Sequence, residues 1–159
     1  MKIESVDTFL TYSYCLVRIR TDTGITGWGQ SAFWAYPDAS ERIINHFKEY
    51  LIGKDPLQIE RHWYCLFRQK PFRGNALSSA VSAVDIALWD IAGRHFQTPA
   101  YQLLGGRQRE KVRLHYLMSG ATVDELVASA RVALKEGFTA VKLDPLPPGY
   151  QLWRYARLI

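Results

Sequence analysis

The sequence predicts an α+β domain over residues 1–107 and the beginning of an α/β domain over 108–159. Three observations carry this expectation. Before residue 32 a stretch rich in β-branched and aromatic residues folds back on itself twice. Helical stretches with apolar periodicity then run as far as "LLGG", Leu103–Gly106. After Gly106 the order becomes strand, helix, strand, which is a unit with parallel strands.

Ile3–Thr11 reads as the first strand. Tyr14–Arg20 alternates, with Cys15, Val17 and Ile19 on one face and Arg18 and Arg20 on the other. "TDTG" turns the chain at Thr21–Gly24, and Ile25–Ala32 resumes the strand pattern, which completes an antiparallel meander of three strands. Asp38 and Glu41 have capping-box spacing ahead of Ile43, Ile44 and Phe47, and Gly53 closes that helix. Asp55 is placed to cap the next helix, with Pro56 at its first position. A third helix begins near Asn75. Its Leu77, Val81, Val84, Leu88 and Ile91 form one stripe, and Ala80, Ala83 and Ala87 form a small-residue face that admits a close neighbour. Beyond Gly106, Val112–Met118 is a strand, Thr122–Glu125 a capping box, Leu126, Ala130 and Leu134 the apolar side of a helix, and Phe138–Leu143 a second strand.

Composition bounds the function. The 159 residues are 48% hydrophobic and 22% charged, an ordinary globular balance. No uninterrupted apolar run reaches the roughly 18 residues of a membrane span, and "MKIESVDTF" has no secretory core, so no membrane partner is expected. Cys15 and Cys65 lack metal-ligand spacing and read as thiols, which suits a reducing cytoplasm. The net charge of +5 is spread along the chain, with one dense cluster at Arg107, Arg109, Lys111 and Arg113. That cluster reads as a solvated linker rather than a nucleic-acid surface, and surplus positive charge also suits a small anionic substrate.

In "GFTAVKLDPLPPGY" an apolar run leads to Lys142 and Asp144, two positions apart and therefore on one face of a strand. In a (β/α)8 barrel, chemistry sits at the C-terminal strand ends. Two readings fit the pair: groups that orient a substrate or move protons, or a structural ion pair at a strand end. A complete barrel needs roughly 250 residues, so the segment after Gly106 amounts to the first strands of an incomplete barrel.

The series "MKIESVDTF…VRIRTDTGITGWGQ…LIGKDPLQIERHW…DIALWDIAGRHFQTPAYQLLGG…GFTAVKLDP" resembles the enolase superfamily, in its mandelate racemase branch. The resemblance implies that residues 1–107 are a capping domain over the barrel mouth. It also implies a homo-oligomer and a Mg2+-dependent reaction on a carboxylate substrate, with the acidic metal ligands and a histidine base lying beyond Ile159. Lys142 matches the first lysine of the Lys-x-Lys pattern on the family's second barrel strand, and Asp144 stands where the second would be. An acid there resembles the acid-sugar dehydratases, and so does the short first loop, Leu10–Ser13. The implied function is the N-terminal part of a sugar-acid dehydratase, a hydro-lyase that takes the proton next to a carboxylate and eliminates water. A racemase or cycloisomerase is the alternative within the superfamily, and a non-catalytic fragment or binding module the alternative outside it. By the same resemblance Phe72 and Arg73 face the substrate. Tyr12, Tyr14 and Trp34 are candidates for stacking on it. Gln30 stands where the family often has Glu. Asp85 and Asp90 read as partners for backbone or arginine, the four histidines as structural or exposed, and Trp28 and Trp89 as core.

Overall fold

The computed structural model describes residues 1–32, 36–71 and 73–143, in two compact units that divide between Arg107 and Gln108. In the first unit, β1 (Ile3–Leu10), β2 (Cys15–Thr21) and β3 (Thr26–Ser31) form an antiparallel sheet in that order. Val6 pairs with Ile19, Asp7 with Arg18, and Arg18 with Trp28. The pleat therefore turns Val6, Cys15, Val17 and Ile19 inward, where all are buried.

Four helices follow. α1 (Pro37–Leu51) buries Ile44, Phe47 and Leu51, and α2 (Ile59–Arg68) buries Ile59, His62 and Leu66. α3 (Asn75–His95) buries Val81, Val84, Leu88 and Ile91 on the stripe its periodicity predicts. α4 (Ala100–Leu103) is a single turn. Each large aliphatic or aromatic side chain sealed into this core contributes about 1.5–3 kcal/mol by leaving water. By length and apolarity α3 is, among the described helices, the one that could cross a bilayer. It carries Asp85 and Asp90 and lies instead at the centre of the core.

Two predicted caps form differently. α1 begins at Pro37, one residue before Asp38, so Asp38 sits in the first turn, beside the positive end of the helix dipole, rather than at the cap. Glu41 accepts a hydrogen bond from the Thr8 hydroxyl at 3.0 Å. Asp55 accepts from the Leu57 N–H through its side chain and from the Gln58 N–H through its carbonyl, so it builds a turn ahead of α2 instead of capping it.

The Gly-Trp-Gly of β3 explains how the sheet meets α3. A Cβ on Gly27 would overlap the Ala87 carbonyl and come within 2.7 Å of Ile91 Cγ1. One on Gly29 would overlap the Ala83 carbonyl. Backbone thus lies directly on backbone, along the small-residue face of Ala80, Ala83 and Ala87. The same pleat puts Trp28 outward, where it is 42% exposed, so it is not a core residue. Its ring lies 5.6 Å from that of Phe9, and the Arg18 guanidinium covers both. Trp89 is partly buried against the core.

In the second unit, β4 (Tyr116–Leu117), α5 (Val123–Lys135) and β5 (Val141–Lys142) form a parallel strand–helix–strand unit. Thr122 caps α5 by accepting from the Glu125 N–H at 3.2 Å, and Glu125 accepts from the Ala121 N–H at 2.6 Å. Gly137 ends the helix at φ +84°. Both strands are shorter than their sequence patterns. Nor are they buried: Leu117, Val141 and Leu143 are 66%, 47% and 44% exposed. One helix cannot cover both faces of a parallel pair, and Ala133 is the one buried residue among those described in this unit.

Candidate functional site

The candidate residues fall in three places. Tyr12 and Tyr14 occupy the turn between β1 and β2. The Thr11 N–H donates to the Tyr14 carbonyl at 2.8 Å, and the Tyr14 N–H donates to Thr11 Oγ1 at 3.0 Å. This tight closure leaves Tyr12 at the tip, 86% exposed, and Tyr14 at 41%. Two aromatic rings so displayed offer flat apolar faces with a hydroxyl at each rim.

Arg73 lies between α2 and α3 and is exposed. Its Nε donates to the Phe67 carbonyl at 3.2 Å, and its guanidinium sits 5.1 Å from the Phe67 ring centroid. Phe67 in turn stacks on Trp63 at 4.9 Å. One edge of the guanidinium is therefore committed to α2, while the terminal nitrogens keep the forked geometry that suits a carboxylate.

Lys142 lies in the second unit on β5, opposite Leu117 of β4, and is exposed. Its ammonium makes no hydrogen bond or ion pair with the described residues. Among the described residues, therefore, no internal bridge would have to break before this lysine met an incoming anion. Asp144, Trp34 and Phe72, the other candidates, lie outside the described residues.

The acidic residues of α3 have internal partners. Asp90 accepts from the Trp28 N–H at 3.0 Å through Oδ2 and from Arg94 Nε at 3.1 Å through Oδ1, so it satisfies the free edge of β3. Burial, and then the charge of Glu60, push the Asp85 carboxyl above its usual range, against an opposing hydrogen bond from Trp89. On β1, burial works to raise the Asp7 carboxyl, but the hydrogen bonds and charge of Arg18, at 3.0 Å, hold it below the usual range. Among the described residues no three His, Cys, Asp or Glu side chains converge as metal ligands. They therefore do not fit a Mg2+ site, which needs several oxygen ligands around one point.

The sequence reading missed one feature. The Phe9–Arg18–Trp28 surface follows from the Gly-x-Gly alternation, which forces the tryptophan outward. His62 is structural, 1% exposed and bonded to Tyr50.

Residues 2–105 match the family model described as mandelate racemase / muconate lactonizing enzyme, N-terminal domain. The chain is 36% identical over 146 residues to a D-galactonate dehydratase from Pectobacterium atrosepticum, covering 91% of this chain and 38% of that protein. It is 37% identical over 154 residues to a D-galactonate dehydratase family member from Pseudarthrobacter chlorophenolicus, covering 94% of this chain and again 38% of the relative. The chain thus spans about two-fifths of the length of these curated relatives. Among solved structures it resembles an enolase from Pantoea ananatis with bound D-gluconate and Mg, with a TM-score of 0.83 and 33% identity over 90% of this chain and 36% of that one. It also resembles an enolase-superfamily member from Salmonella Typhimurium, with a TM-score of 0.81 and 31% identity over 90% of this chain and 42% of that one.

Proposed function

The chain belongs to the mandelate racemase/muconate lactonizing enzyme family, and from that premise we propose that it supplies the capping domain and first barrel strands of a sugar-acid dehydratase. The observation that carries the proposal is the extent of the likeness to the D-galactonate dehydratases. A match of 146 residues exceeds the first unit, so it runs on into the unit that holds Lys142. The exposed apolar side chains of β4 and β5 support the same reading, because parallel strands are stable when further elements cover both faces.

The reaction removes the proton beside the carboxylate and expels the hydroxyl from the next carbon. The enol that remains tautomerises to a 2-keto-3-deoxy acid. Negative charge grows on the carboxylate oxygens as the proton leaves. The Lys142 ammonium stabilises that charge more strongly in the transition state than in the bound substrate, which lowers the barrier rather than tightening ground-state binding. Within the first unit, the aromatic faces of Tyr12 and Tyr14 suit stacking on a polyhydroxy chain, and the Arg73 fork suits an oxygen anion. We assign the metal-dependent part of the chemistry, the Mg2+ ligands and the main base to residues outside those described. Free Cys15 and Cys65 are consistent with a reducing cytoplasm.

The test is a chimera in which this chain replaces the matching N-terminal segment of the Pectobacterium enzyme. A folded chimera should convert one or more six-carbon sugar acids to the 2-keto-3-deoxy acid. A chimera that melts cooperatively, yet dehydrates none of a full panel that includes D-galactonate, overturns the proposal.

A further inference from the structure

Trp63 and Phe67 lie one helical turn apart on α2, and their rings stack with centroids 4.9 Å apart and 16° between the planes. The Arg73 guanidinium sits over the Phe67 ring, 5.1 Å from its centroid, while Arg73 Nε donates to the Phe67 carbonyl at 3.2 Å. Phe67 thus holds Arg73 twice, by its side chain and by its backbone, and Trp63 braces the Phe67 ring. On the next stripe of α2, Arg68 Nη1 donates to the Tyr64 hydroxyl at 2.7 Å, with its guanidinium 4.5 Å from the centroid of that ring. One terminal nitrogen of Arg68 is therefore committed, whereas those of Arg73 make no hydrogen bond or ion pair with the described residues. A guanidinium can grip two oxygens side-on, through Nε and one Nη, or end-on, through both Nη atoms. The Phe67 carbonyl already takes the Nε proton, so the end-on grip is the one left to Arg73. An exposed arginine without such a brace has many rotamers to lose on binding, and this one is ordered beforehand.

We propose that Phe67 and Trp63 are positioning residues for Arg73, a role that rests on the dehydratase reading above. The carbonyl and the stacked rings hold the guanidinium so that its two terminal nitrogens meet a pair of substrate oxygens end-on. Neither ring touches substrate, and both act through Arg73. Arg73 grips the bound substrate and the transition state alike, so the brace lowers KM and leaves kcat nearly unchanged.

The test measures kcat and KM in the chimera with the Pectobacterium enzyme, on the sugar acid that it dehydrates fastest. Phe67→Leu keeps the carbonyl and most of the apolar bulk but removes the ring. It should raise KM about threefold to tenfold, the scale of ordering one long side chain on binding. Phe67→Tyr keeps the ring and should keep the native KM. Arg73→Gln should raise KM by about tenfold or more, the scale of losing hydrogen bonds from a charged group. In the Arg73→Gln background, Phe67→Leu should raise KM no further, because its effect passes through the guanidinium. Phe67 is half-buried, so Trp63→Leu, at an exposed position, carries the same cycle with a smaller rise if Phe67→Leu fails to fold. A folded native chimera without dehydratase activity overturns the reading beneath the proposal. An active chimera in which the ring substitutions leave KM unchanged, or raise it equally with and without the Arg73 guanidinium, overturns the proposal alone.

Discussion

Gly29→Ala tests the contact on which the first unit depends. The new methyl group would overlap the Ala83 carbonyl oxygen and lie 2.9 Å from its carbon and 3.1 Å from Ala87 N. These are backbone atoms of α3, so no rotamer change can clear them. The sheet and the helix must separate along the face where Cys15, Val17 and Ile19 meet Val84 and Leu88. Overpacking of a core costs about 1–3 kcal/mol, and a backbone obstruction belongs at the upper end. At about 4–8 °C per kcal/mol for a domain of this size, the melting temperature should fall by roughly 12–24 °C. Gly74→Ala is the control. Gly74 has extended backbone at φ −177°, with no atom within 4 Å of the added carbon, so that variant should melt almost as the native chain does. Thermal unfolding followed by circular dichroism at 222 nm reads both. If Gly29→Ala melts no lower than Gly74→Ala, the close approach of β3 to α3 is wrong.

Three further outcomes follow from the charges and the donor set. Burial first, then the Glu41 charge, push the Cys15 thiol from 9.0 up to about 11. The folded state thus holds this proton more tightly than the unfolded state. Its stabilisation is full below pH 9 and is lost as pH rises through 11, a decline on the order of 2–3 kcal/mol in denaturant titrations that Cys15→Ala should lack. The Asp85 carboxyl is likewise raised in the folded state, so its contribution is full below its ordinary 3.8 and lost as pH rises. Asp85→Asn should therefore melt higher than the native chain at pH 7, with the gain fading below pH 3.8; equal melting at pH 7 would show that burial does not penalise this charge. Isothermal titration of the 159-residue chain with Mg2+ should give no micromolar binding, since no ligand cluster exists among the described residues, and a saturable micromolar isotherm would contradict that.

Local signals made most of the fold legible in the sequence. The alternation at Cys15–Ile19, the stripe of α3 and the Thr122 cap each reflect forces acting within a few residues, and each element forms as its pattern predicts. The failures come from longer-range competition. Asp38 has capping spacing, but Pro37 already fits the first helical turn and starts α1 earlier. Asp55 finds nearer N–H groups than a helix end. Trp28 is large and apolar, yet its two glycine neighbours take the inward positions because α3 leaves room for nothing larger. The apolar pattern of Val141 and Leu143 anticipates cover that the described residues do not supply. The place of Lys142 on a strand was legible, because the apolar run before it has strand character. The hold of Phe67 on Arg73 was not, because it depends on how α2 and the following loop pack.

Turnover by Lys142→Met in the folded chimera with the Pectobacterium dehydratase tests the central claim most directly. Loss of one electrostatic donor to developing oxyanion charge typically costs on the order of 100-fold in kcat. Lys142 is exposed and makes no bond to the described residues, so its removal should leave the melting temperature unchanged. The account predicts a kcat for sugar-acid dehydration lowered about 100-fold, with KM changed far less. A folded variant with near-normal kcat would contradict it and leave Lys142 as a solvated strand residue.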